Sequence, residues 1–348
     1  FVQFGISAIQ ALTYVLIGNS ITGIKGMLFE YWLVLFTCWA SANMLALIVS
    51  DSFNAVVTIY ILIPFLVIPQ IILSGVMVKF EKLNPRLSSP VEIPFYGELI
   101  TARWGYEALC VKQFKDNRYE KQFYIYDKAM SQAKYKKDYL VSELKGKLES
   151  IKSDLNRETK SDSYESNIKV VYNELKKEAE GISKLEFPDL DKLTPSTITL
   201  EIVNDALDHV ETIRRYYVAY SNNAKNLKDD IVSKLQGQDN EAFLKLRDDY
   251  YNKSLEEFVT NKNETLKIVE YNGEIFQKLD PIFMDPSHNF IKAHFYSPTK
   301  KLFGQNIDTF WVNIMVIWAM TLLFYVILYF RLLKKTLEFA EGIGKYKD

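Results

Sequence analysis

Charge is nearly missing from the first 78 residues. Lys25, Glu30 and Asp51 are all of it there, and the other 82 of the 85 charged side chains follow Val78. The overall balance, a formal net charge of −1 with 24% charged residues, therefore averages a membrane part and an aqueous part. Cysteine is scarce: Cys38 and Cys110 lie far apart, which excludes a disulfide framework and says little about redox compartment. The three histidines, His209, His288 and His294, lack metal-ligand spacing with cysteines. His209 falls in an amphipathic stretch and reads as a packed or solvated helix residue rather than a ligand. No metal site and no nucleic-acid partner is expected. These residues hold no G-x-x-x-x-G-K-[ST], no H-E-x-x-H and no G-x-S-x-G, so they carry no P-loop, zincin or nucleophile-elbow chemistry. The apolar runs contain no Asp or His pair for a proton relay or an intramembrane protease.

Long apolar runs are what the sequence does have. Residues 2–18, 29–49, 55–78 and 309–330 are each mostly apolar, and roughly 20 helical residues cross ~30 Å of hydrocarbon. The first is not a signal peptide, because it has no basic n-region and no small-residue cleavage site. The start at Phe1 rather than Met, with no polar entry segment, leads us to expect more protein upstream. Short links, "NSITGIKGM" and "SDSFN", predict antiparallel neighbours among the first three runs. "CWASANMLAL" places Ala40, Ser41, Ala42 and Ala46 where small residues let helices approach closely in lipid. The third run carries Pro64, Pro69, Gln70, Ser74 and Gly75, which predicts a kinked helix. Its bland reading is a packing kink, its functional one a pathway or gating segment. Residues 96–114, "YGELITARWGYEALCVKQF", are amphipathic and too polar to span, so a helix at or dipping into the interface is expected.

Residues 115–270 are rich in Lys, Glu, Asp and Tyr, with apolar residues at helical spacing. Leu140, Leu144, Leu148, Ile151 and Leu155 form one stripe. Val203, Ala206, Val210, Ile213, Tyr217, Tyr220, Ala224, Leu227 and Ile231 form a heptad seam. Thr199 is the expected N-cap of that second helix, without a full capping box because Ile202 occupies the third following position. A third helix is expected from about Asn240, and Pro188 and Pro195 break the chain between the first two. The segment before the last run, rich in proline and aromatics, is expected to pack on the membrane surface. Asn252-Lys-Ser254 and Asn263-Glu-Thr265 fit the glycosylation sequon, a triplet common by chance. The expected fold is all-α: a polytopic membrane bundle with a coiled-coil-like helical insert. Its parts are residues 1–78 (three transmembrane helices), 79–114 (re-entrant or interfacial), 115–308 (extracytoplasmic insert) and 309–348 (final span and cytoplasmic tail).

The run "ILIPFLVIPQIILSGVMVKFEKLN" followed by "ITARWGYEALCVKQF" resembles the permease half of type 2 ABC exporters of the G-subfamily. The matching residues are Ile68, Pro69, Gln70, Leu73, Ser74 and Gly75, then Arg103, Trp104, Tyr106, Glu107, Ala108, Leu109 and Phe114. "FNAVVTIYILIP" is similar to the entry of that family's fifth span. The resemblance covers residues 1–114 and 309–335. It breaks at residues 115–308, where the family has a much shorter loop. It implies that four spans here are the last four of six, and that two copies form a homodimer around the substrate path. An ATP-binding domain upstream or on a partner chain would bind ATP and Mg²⁺, leaving this part with no cofactor and no catalysis of its own. Pathway or gate candidates are then Pro64, Pro69, Gln70, Ser74, Gly75, Arg103, Trp104 and Glu107.

Arg103 and Glu107 are four apart, so on a helix they share a face and can pair. Such a pair would hold the re-entrant helix against the top of the third run near Gly75. Its bland form is a surface ion pair worth roughly 0.3–0.5 kcal/mol. Arg331, Lys334, Lys335, Lys345 and Lys347 put the tail in the cytoplasm by the positive-inside rule, with Lys25 the one contrary charge. That makes the insert extracytoplasmic, on a plasma or inner membrane. The alternative function is a membrane-anchored sensor or scaffold whose helical insert binds a partner; an intramembrane enzyme lacks a catalytic set. The spans offer no charged pocket, which leans towards a lipophilic or amphipathic cargo.

Overall fold

The computed structural model describes residues 1–53, 55–80, 89, 91–157 and 159–345, with side chains up to Ala340. Residues 81–88 and 90 of the expected interfacial segment, and Lys347 of the tail, lie outside the described residues. The chain divides into two compact units. The first holds residues 1–120, 246–255 and 285–348, and the second holds 121–245 and 256–284.

In the first unit, α1 (Val2–Thr22), α2 (Leu28–Ser52) and α11 (Thr309–Tyr329) are long and apolar enough to cross a membrane. Between α2 and α11 in sequence come α3 (Val56–Ile72), α4 (Phe95–Glu98) and α5 (Thr101–Lys115). α3 is apolar but has 17 residues, with both prolines inside it. α2 packs against α1 and α11. Trp32 donates to the Ala8 carbonyl (3.0 Å) and Asn43 to the Ser7 hydroxyl (2.7 Å), two polar links between the apolar helices α1 and α2. Ala40 and Ser41 of the small-residue run are buried. The strands β3 (Thr299–Leu302) and β4 (Gln305–Asp308) form an antiparallel hairpin that leads directly into α11, and α12 (Leu332–Lys345) follows it.

The second unit has a helical core. α6 (Tyr124–Lys134) runs through a π-helical stretch, Tyr135–Leu140, into α7 (Val141–Arg157). α8 (Tyr164–Gly181) lies in sequence between the two apolar stripes read from the sequence. α9 (Leu200–Tyr250) and α10 (Lys253–Val259) follow, and the antiparallel hairpin of β1 (Ile268–Tyr271) and β2 (Glu274–Gln277) packs on α8. Leu140, Leu144, Leu148 and Ile151 meet Ile168, Val171 and Leu175 and the Val203–Tyr217 part of the seam in one buried cluster. Thr199 caps α9 through its hydroxyl, which accepts from the Ile202 N–H (3.4 Å). The seam is covered only in part: Ala224 is buried, whereas Tyr220 and Leu227 are exposed. The expected third helix is the last part of α9. Its backbone is non-helical at Asp239, whose carboxylate accepts from the Ala242 N–H (3.0 Å).

The chain is mostly helical rather than all-α, because two hairpins are present. Each closes on two residues with positive φ, Asn272 and Gly273 (55° and 83°), and Phe303 and Gly304 (49° and 81°). That combination makes the mirror-image turn whose twist matches antiparallel strands.

Candidate functional site

α5 is polar, yet it is buried between α2 and α11. Two features let it in. Gly105 faces α2 so closely that a Cβ there would sit 2.6 Å from the Cys38 sulfur. Its charges are neutralised internally. Arg103 and Glu107 are both 0% exposed, which corrects the surface-pair reading. Arg103 Nη1 donates to Glu107 Oε2 (3.2 Å), Nε donates to the Gly97 carbonyl (3.2 Å), and Nη2 pairs with Glu98. The guanidinium lies 3.8 Å from the Trp104 ring centroid, and the indole N–H donates to the Glu98 carbonyl (2.8 Å).

The pair has a third charged member. Lys300, from β3, donates to the same Glu107 Oε2 (2.6 Å) and to Asn313 Oδ1 of α11 (2.9 Å). Its ammonium is 4.3 Å from the Trp104 ring centroid. Asn313 Nδ2 donates to Glu107 Oε2 and to the Trp104 carbonyl, both at 2.9 Å. Two cations thus face two carboxylates, and α4, α5, β3 and α11 are tied at one point. Glu107 Oε1 is buried and accepts no hydrogen bond among the described residues, so the carboxylate keeps one free acceptor.

Burial pushes the Glu107 carboxyl up, but Lys300 and Arg103, with hydrogen bonds from Lys300 and Asn313, outweigh it and hold it below its ordinary value. Burial pushes the Lys300 ammonium down from 10.5 to about 8, against the pull of Glu107, and Arg103 adds to the fall. With one carboxylate oxygen shared by two cations, the lysine yields its proton before the arginine. Folded Lys300 therefore carries less proton than unfolded Lys300 between about pH 8 and about 10. In that window the unfolded chain binds more protons, so this group makes stability rise with pH. Lys300→Met is expected to flatten that part of the profile, read by thermal unfolding in detergent from pH 7 upward. An unchanged profile removes the lysine as its source.

The other site residues expected from sequence fall on α3 and its end. Pro64 and Pro69 sit inside α3, which has no buried residue. Gln70 is half-buried, and its side chain makes no hydrogen bond among the described residues. Ser74 is buried, and its hydroxyl is engaged in its own turn, donating to the Ile71 carbonyl (2.8 Å) and accepting from the Val76 N–H (3.3 Å). Gly75 (φ 77°) and Gly97 both press on the Phe80 ring, at 2.4 Å and 2.9 Å from where their Cβ atoms would be. Gly75 thus reaches α4 through Phe80, and α4 reaches Arg103 through the Gly97 carbonyl.

Lys300, Asn313, Glu98 and Phe80 were not picked out from the sequence. Lys300 is hidden in "TKKLFG", where a lysine pair before an apolar run reads as solvated. The signal was the turn at Phe303-Gly304, which makes the stretch a strand and sends Lys300 and Lys301 to opposite faces.

The second unit also buries charge, but partners it. Glu178 meets Lys136 and the Tyr217 hydroxyl (2.7 Å), and Glu174 accepts from the Ile275 N–H (2.9 Å). His209 packs on Phe187 and lies 3.1 Å from the Leu185 carbonyl, beside an open acidic hollow of about 600 Å³. Burial lowers its pKa, as for a packed helix residue. No group of three or more metal-ligating side chains occurs among the described residues. No family model, no curated protein and no solved structure matches this chain.

Proposed function

We propose that this chain is the permease part of an ATP-driven ABC exporter and forms the substrate path as a dimer. The observation that carries the reading is the contrast between α3 and α5. A proline-bearing apolar helix has no fully buried residue, while the polar helix after it is drawn in between α2 and α11. A buried charge cluster holds α5, and through Gly97, Phe80 and Gly75 it bears on the end of α3. Lining by a second copy would cover α3, and the cluster would latch the outer end of the path. α3 then counts as a span, the third of four in chain order: 17 helical residues rise about 25 Å, and the apolar residues after it extend the reach.

Two ion pairs support the topology. Lys25, the one contrary charge, pairs with Asp249 (2.6 Å), which supports the α1–α2 link lying on the side of the insert. Arg331 pairs with Asp51 (3.1 Å), which supports the ends of α2 and α11 sharing the side of the basic tail, the cytoplasm. Protease added outside right-side-out vesicles is expected to cut the second unit; cutting only after the vesicles are opened overturns this orientation.

The function is tested on the complete protein isolated from its own membrane in mild detergent. An ATP-binding domain, fused or as a separate subunit, and vanadate-sensitive ATP hydrolysis are expected. An assembly without either overturns the transporter and leaves the membrane-anchored sensor or scaffold, a role the separate helical unit would suit. Within the transporter, Gln70→Cys is expected to react with a water-soluble thiol reagent, because an unpaired amide facing lipid is costly. Inertness in every nucleotide state removes Gln70 from the path.

A further inference from the structure

Two residues, Phe330 and Arg331, separate α11 from α12, with the turn at Arg331 at φ 52°. It packs on α11 and α2. Its sequence repeats at the helical period: Leu332, Leu333, Leu337 and Ala340 share one face with Phe339 at its edge, while Lys334, Lys335 and Glu338 share the other. Packing on α2 and α11 covers only part of the apolar face. Leu333 and Leu337 are half-buried, whereas Leu332 and Phe339 are exposed, Phe339 by 71%. Tyr325, Tyr329 and Phe330, at the end of α11 that the short turn joins to α12, are exposed as well. Aromatics at that level and lysines beside them are the pattern of a membrane–water boundary.

We propose that α12 lies along an anionic leaflet, with Phe339 and Leu332 in the headgroup–acyl boundary and Lys334 and Lys335 towards the headgroups. The proposal rests on α11 crossing the bilayer. The occupant follows from three observations. The tether is too short to carry α12 away from the mouth of α11. Exposed apolar side chains stand on both sides of that turn, Tyr329 and Phe330 before it and Leu332 after it. The helix's own charge is positive by one, Lys334, Lys335 and Lys345 against Glu338 and Glu341, while Arg331 just before it is paired with Asp51. An amphipathic helix of this kind anchors the end of a span and fixes its depth and rotation.

The test uses the full chain in lipid nanodiscs of phosphatidylcholine with and without phosphatidylserine. Cysteines are introduced singly as Phe339→Cys, Glu338→Cys and Leu323→Cys, and the rate of reaction with a water-soluble maleimide is read against the parent. With phosphatidylserine, Phe339→Cys is expected to react about tenfold more slowly than Glu338→Cys. Without it, or with Lys334→Glu and Lys335→Glu added, the gap is expected to shrink severalfold. Leu323→Cys, inside α11 six residues before its end and exposed in the chain, is expected to stay protected. Equal rates at positions 338 and 339 with Leu323→Cys protected overturn the docking and leave the span intact. A gap that ignores lipid charge and lysine reversal overturns the lipid as occupant in favour of a protein cover. Reaction of Leu323→Cys from water overturns the span, and the docking with it.

Discussion

Glu107→Ala is expected to destabilise the first unit by about 3–5 kcal/mol, the cost of removing one partner from a buried ion cluster. The loss is large because Arg103 and Lys300 would be left facing each other without the carboxylate oxygen they share. Thermal unfolding in detergent, or the yield of monodisperse protein, measures it. A loss below about 1 kcal/mol would return the pair to the class of exposed salt bridges. The charge-swap cycle is sharper. For an isolated pair, Arg103→Glu with Glu107→Arg should restore what each single change loses. Here the new glutamate at position 103 would face Glu98, and the new arginine at position 107 would face Lys300. The double variant is therefore expected to transport and express no better than the worse single. Recovery by the double swap would mean that Lys300 and Glu98 are not part of the latch.

Leu148→Ala is expected to cost the second unit about 2–5 kcal/mol, because Leu148 is fully buried and its neighbours on α8 and α9 cannot close the space completely. Limited proteolysis on a temperature ramp reads the loss. Leu227→Ala, further along the same seam as Val210 but exposed, serves as the control and is expected to change little. Equal effects at the two positions would mean that a partner covers the far end of the α9 seam.

Both predictions rest on positions that differ in how visible they are in the sequence. The α7 stripe and the α9 seam could be read directly, because burying one face of a helix demands apolar residues every three or four positions. So could the Thr199 cap and the break near Asn240, which depend on local hydrogen bonding. The two hairpins were missed although "YNGE" carries the strongest short turn signal, Asn-Gly. Strands of four residues are too short for an alternation to stand out beside long helices. Arg103 and Glu107 were visible as a pair because a helix fixes the geometry of residues four apart. Lys300 and Asn313 were not, since they reach Glu107 from 193 and 206 residues away.

The sequence by itself determined which segments are apolar enough to leave water, where α9 starts and breaks, and that a proline-bearing run precedes a polar helix. These follow from hydrophobic periodicity, backbone chemistry and local capping, all of which act within a few residues. The tertiary structure alone decided that the polar helix is buried, that its ion pair is a four-residue charge cluster with an amide, and that a strand lysine completes it. Burial of a charge depends on which distant partner arrives to neutralise it, and no local spacing encodes that arrival.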